Sequence, residues 1–138
     1  MTKLVSHCQA PAISRETRYK AWAEYRQATV PKSDDWSTAT ALLGRQYMLD
    51  GDYRDALPLL LEFVQVEPDN AWVLLDLAET NLGLGKLDEA RAKILAAETT
   101  LPANPVRQDE IDQNARVRAR IGRLLKKLPK QTQSPPAR

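Results

Sequence analysis

From Trp36 onward, Ala39, Leu42, Leu43, Tyr47 and Met48 recur at steps of three to four residues, which places them on one face of a helix. Asp50-Gly51-Asp52 breaks that pattern, and a glycine there can take the positive φ that ends a helix. A second apolar stripe starts at Asp52 or Tyr53 and comprises Ala56, Leu57, Leu60, Leu61 and Val64. Pro58 removes one backbone donor from its second turn and predicts a mild kink. Glu67-Pro68-Asp69-Asn70 closes the unit. The layout then repeats, with a helix over Trp72–Leu84, a turn at Gly85, and a helix from Leu87 to about Thr100. Residues 37–70 and 71–104 are each 34 long and share Leu43/Leu77, Gly51/Gly85, Ala56/Ala90, Leu61/Leu95, Pro68/Pro102 and Asn70/Asn104. A fixed period of that length marks stacked helical hairpins.

The flanks depart from the period. Ser14 is a candidate N-cap for a helix to about Thr29, along which Tyr19, Trp22 and Tyr25 recur at helical spacing. Asp34 or Asp35 can cap the helix that follows. From Gln108 to Leu128 no glycine-centred turn falls where the repeat would put one, so one long helix is expected. Its first turn is acidic (Asp109, Glu110, Asp112) and its last turns basic, which suits the helix dipole. Val117, Ile121, Leu124, Leu125 and Leu128 form its apolar face. Residues 1–13 show no period and are expected to be a flexible lead-in, and 129–138 have the composition of a disordered tail. The expectation is therefore one helical domain over 14–128, with a capping helix over about 106–128.

The repeated positions resemble the tetratricopeptide repeat. Leu43-Gly44 and Tyr47 stand where that family has Leu-Gly and Tyr, Ala56 at its small-residue position, and Pro68 at its closing proline. In the second unit Leu77-Ala78, Ala90 and Pro102 match, while Asn81 replaces the tyrosine. Thr40 and Leu74 stand in place of the family tryptophan. The resemblance implies an all-α fold of hairpins stacked in a right-handed superhelix, closed by the long C-terminal helix. Gly44, Ala78, Ala56 and Ala90 are the small residues that let antiparallel helices approach.

The resemblance also implies a concave groove lined by the first helix of each repeat. Its expected lining is Thr38, Ala41, Leu42, Arg45 and Met48, then Trp72, Leu75, Asp76, Glu79 and Leu82, then Asp109, Glu110, Gln113 and Arg116. Leu75 and Leu82 have an alternative reading as packing against neighbouring helices. Some family members grip a C-terminal carboxylate with lysine, asparagine and arginine. Here Ala41, Arg45, Asp76, Val106 and Glu110 stand at those places, which argues against that ligand. A groove with Trp72, Asp76, Glu79 and Glu110 suits an apolar or basic helical segment of another protein. Tyr19, Trp22 and Tyr25 can be core, fill the groove themselves or mediate a homodimer.

Composition narrows the classes. The chain has 138 residues, 43% hydrophobic and 28% charged, as in an ordinary globular domain. No apolar run reaches the roughly 18–20 residues of a membrane span, and no signal-like N-terminus is evident. Cys8 is the single cysteine, which fits a reducing cytoplasm. His7 and Cys8 are too few ligands for a metal site, and no catalytic constellation or phosphate loop is present, so no enzyme activity and no cofactor are expected. The net charge of +2 hides a split: residues 37–104 carry 5 basic and 11 acidic side chains, and 105–138 carry 9 and 3. Arg116, Arg120, Arg123 and Lys127 fall on one stripe of the last helix, with Arg118, Lys126 and Lys130 nearby. A solvated face is the plain reading of that stripe. The rival is contact with nucleic acid or an anionic surface, although no aromatic is interleaved. The sequence thus points to a non-catalytic adaptor or small chaperone. Its size and two-repeat core are similar to the cytoplasmic chaperones of bacterial secretion apparatus.

Overall fold

The structure is a computed structural model that describes residues 14–129. The expected lead-in with His7 and Cys8, and the expected tail from Lys130 on, lie outside the described residues. Among the described residues six helices follow one another: α1 (Arg15–Ala28), α2 (Asp34–Leu49), α3 (Tyr53–Val66), α4 (Ala71–Gly83), α5 (Leu87–Thr99) and α6 (Gln108–Lys127). Among the described residues no helix is long and apolar enough to cross a membrane.

Local chemistry sets the boundaries. The Ser14 hydroxyl accepts from the Thr17 amide to cap α1. The cap of α2 is Ser33, accepting from the Trp36 amide at 3.2 Å, rather than Asp34 or Asp35. Those two acids occupy the first turn, where the helix dipole favours them. The two repeats end their first helices identically. Asp52 N–H bonds the Tyr47 carbonyl and Gly51 N–H that of Met48, at 2.8 and 3.0 Å. Lys86 does the same to Asn81 and Gly85 to Leu82, at 2.8 and 3.1 Å. Both glycines stand at positive φ, 82° and 79°, as this terminator requires. The phase is lost after the second unit. Asn70 caps α4 through its side chain, but α6 starts four residues beyond Asn104, with Glu110 Oε1 accepting from the Arg107 amide.

Each helix packs on the next, and α2, α4 and α6 also touch one another in succession. They form one layer; α3 packs against α2 and α4, α5 against α4 and α6, and α1 against α2 alone. One core cluster joins Met48, Ala56, Leu60, Phe63, Val73 and Leu77. The other draws Leu74, Leu75 and Ala78 of α4 against Ile94 of α5 and Val117, Ile121 and Leu124 of α6. Helix α4 serves both clusters. Ala56, Ala78 and Ala90 are fully buried, and a Cβ on Gly44 would come within 2.8 Å of Leu60 Cδ2. Close helix contact therefore does rest on the small residues.

Two leucines assigned to apolar faces, Leu61 and Leu125, point outward, as does Leu95, the repeat match of Leu61. Leu61 and Leu95, matched between repeats, are 38% and 60% exposed, and Leu125 is 50% exposed. The buried register of the second helices is 56, 60, 63 and 90, 94, 97. Leu61 and Leu95 each lie one residue past it, about 100° around the helix.

Candidate partner groove

The layer of α2, α4 and α6, with α1 at its edge, presents a track of three hollows, each sharing a lining residue with the next. The first, about 370 Å³, is walled by Ala21, Trp22, Tyr25 and Thr38. The second, about 390 Å³, shares Thr38 and adds Ala41, Leu42, Arg45 and Trp72. The third, about 600 Å³, shares Trp72 and opens between Asp69 and Asp109, Glu110, Asp112 and Arg116. Thr38, Ala41, Leu42 and Arg45 share the track because steps of three to four residues keep them on one side of α2. Trp72 is half-buried and divides the second hollow from the third.

Several expected groove residues prove to be structural. Met48 and Leu75 are 2% and 0% exposed and belong to the two core clusters. Leu82 is half-buried against the second cluster. Asp76 lines the floor of the second hollow but is itself buried. Arg120 of the basic stripe is buried as well and does not belong to a solvated face. Its guanidinium donates to Asp76 at 2.6 Å, to Glu79 at 3.1 Å and to the Trp72 carbonyl at 3.5 Å. It also lies 5.9 Å from the centre of the Trp72 ring. A charge taken out of water needs such partners. Burial pushes the Asp76 carboxyl above the usual carboxylate range, against the pull of Arg120.

Asp76 and Glu79 are therefore already paired. The other acids along the track are Glu67, Asp69, Asp109, Glu110 and Asp112, of which Asp109 pairs with Arg107 at 2.9 Å, against Arg45 and Arg116. Gln113 lines the third hollow, and Arg123 and Lys127 are exposed on α6. The sequence reading missed Glu67, Asp69 and Asn70 as lining. Their signal is the repeat-closing Glu67-Pro68-Asp69-Asn70 turn. Trp22 and Tyr25 are neither core nor groove filler: Tyr25 is 46% exposed and their rings meet edge to face at 6.0 Å beside Thr38. Among the described residues no group of three His, Cys, Asp or Glu side chains is placed to hold a metal.

Two hairpins with matched glycine terminators and small residues at the crossings define a helical-repeat protein. A model of the tetratricopeptide repeat family matches residues 47–103, and over that span the chain is similar to this family. The match runs from the end of α2 through the second hairpin. No curated protein and no solved structure matched the chain. Repeats of this family serve in general as protein-interaction modules.

Proposed function

We propose that this protein is a non-catalytic adaptor or small chaperone that holds an apolar and basic helical segment of another protein along α2, α4 and α6. The position of Trp72 carries the reading. It is a large aromatic shared by two hollows and held in place from below by Arg120. Aromatics in such settings are enriched among residues that dominate binding energy. The excess of acids around the third hollow, of which Asp109 is paired with Arg107, favours basic residues at that end of the segment, and Trp22 and Tyr25 favour an apolar anchor at the other.

The test is capture of partners from the native lysate by wild type and by Trp72→Ala with Thr38→Arg. Thr38 is exposed, so the arginine obstructs the track without entering the core. Reversing Glu79 would serve badly, because it would set a second cation against Arg120. A protein retained by wild type and lost by the variant, with the helical spectrum and a cooperative melt retained, is the expected result. Retention of the same proteins by both would overturn the reading. Contact of the basic helix with nucleic acid is the rival, and a steep loss of binding between roughly 50 and 200 mM salt would mark it. Burial of Arg120 takes one cation from that stripe.

A further inference from the structure

Helix α1 is half of a hairpin. It packs on the first helix that follows it, α2, as α3 packs on α4 and α5 on α6. In both complete hairpins the second helix also packs on its own first helix, α3 on α2 and α5 on α4. Among the described residues α1 has no such partner. The place of that first helix, at the open end of the layer of α2, α4 and α6, is the hollow walled by Ala21, Trp22, Tyr25 and Thr38.

Chain order names the occupant. A first helix precedes its second across a turn of three residues, 50–52 before α3 and 84–86 before α5. Before α1 that place belongs to residues 1–13. They have no period of their own, but counted back from the caps of the second helices they keep the phase of the repeat. Leu43-Gly44 stand nine and eight residues before Asp52, Leu77-Ala78 nine and eight before Lys86, and Val5-Ser6 nine and eight before Ser14. Each pair is a larger apolar residue followed by a small one, and the four in the complete hairpins are buried. One residue earlier, Leu42 shares the second hollow with Trp72 of the next first helix, fourteen before its cap. Leu4 stands where Leu42 does, and Thr38, fourteen before Asp52, where Trp72 does. Pro11 falls at the place of Leu49 and Gly83, the last residues of α2 and α4. Proline disfavours helix at the residue before it, so the helix of this segment ends near Gln9.

We propose that residues 2–9 supply the missing first helix in the same chain, with Leu4 seated in the hollow against Thr38 and Val5-Ser6 packed on α1. A helix of eight residues does not persist alone in water, so its order reports its docking. One consequence rests on the groove reading: Leu4 takes the place of the apolar end of the partner segment, and binding displaces it.

The experiment is amide exchange on the purified full-length chain. Residues 4–9 are expected to exchange at least about tenfold more slowly than in the free peptide of residues 1–13. Val5→Asp should abolish that difference while α2 to α6 keep their protection. Exchange at free-peptide rates would overturn the proposal. Disulfide trapping locates the seat, in a Cys8→Ser background that leaves no other cysteine. Leu4→Cys should close on Thr38→Cys within one chain at least about tenfold faster than on Gln27→Cys. Gln27 is exposed and lies about 200° around α1 from Tyr25. Equal trapping at both positions would overturn the seat, and a disulfide-linked dimer would give the hollow to a second copy instead. None of these readouts needs a bound partner, so failure of the groove reading leaves them unchanged.

Discussion

Helices α1 and α6 both pack on the edge of the hairpin stack, yet they are held by opposite means. Helix α1 buries no residue completely. The Tyr19 hydroxyl bonds Asp50 and, at 3.1 Å, Asp52, and its ring lies on Tyr47 at 4.0 Å between centroids. Arg26 donates to Thr40 at 2.6 Å, pairs with Glu62 and covers the Trp36 ring at 4.7 Å. Arg18 donates to Gln46 and lies 3.6 Å from Asp50. Helix α6 instead sinks Val117, Leu124 and Ile121 to between 0% and 6% exposure and adds one deep ion pair. Hydrogen bonds that compete with water are worth about 1 kcal/mol each, whereas a buried leucine contributes roughly 1.5–3 kcal/mol. The difference teaches that α1 is the part of the stack that can let go without unfolding the rest.

The comparison can be broken most forcefully at Arg120. Arg120→Met keeps the stem but strands the Asp76 charge, and should cost about 3–5 kcal/mol. Adding Asp76→Asn should return much of the loss, as chemical denaturation of the single and double variants would show. Leu124→Ala should cost about 2–5 kcal/mol and lower a single cooperative transition. If it left a separate early transition instead, α6 would be as loosely held as α1. Tyr19→Phe sharpens the contrast at the other end, where a loss of only about 1 kcal/mol is expected, read as faster amide exchange confined to α1.

Tyr19 also sets a pH dependence. Burial first, then the bonds to Asp50 and Asp52, hold its proton well above the ordinary tyrosine range. The folded state keeps a proton that the unfolded chain releases near pH 10. The contribution is whole below about pH 10 and is lost as pH rises further. Melting curves at pH 8 and pH 11 should therefore converge for wild type and Tyr19→Phe. A gap that widens with pH would contradict the stated cause.

Much of this was legible in the sequence. The paired glycines at 51 and 85, the buried alanines at 56 and 90, and the unbroken pattern of α6 all report local backbone and packing needs, which a single period captures. Ser33 escaped because two aspartates beside it are equally good caps by residue type. Leu61 and Leu95 escaped because a helical step locates an apolar face only to within about one residue. Arg120 escaped because its neighbours in the sequence are basic, which made it look solvated. Its position between Val117 and Leu124 was the available signal, together with Asp76, the lone acid in the apolar first half of α4. The groove was harder to read because its lining comes from three helices and two closing turns. Only the stack decides which of these residues remain free.

The neighbour-only packing of the helices has a kinetic consequence. Every helix touches those next to it or one beyond, and even the bond from Arg120 to the Trp72 carbonyl spans only 48 positions. Few long loops must close before contacts reward them, so the chain belongs with fast folders of low contact order. A nucleus in either hairpin can grow outward in both directions, with α4, common to both clusters, the natural place for growth to pass through.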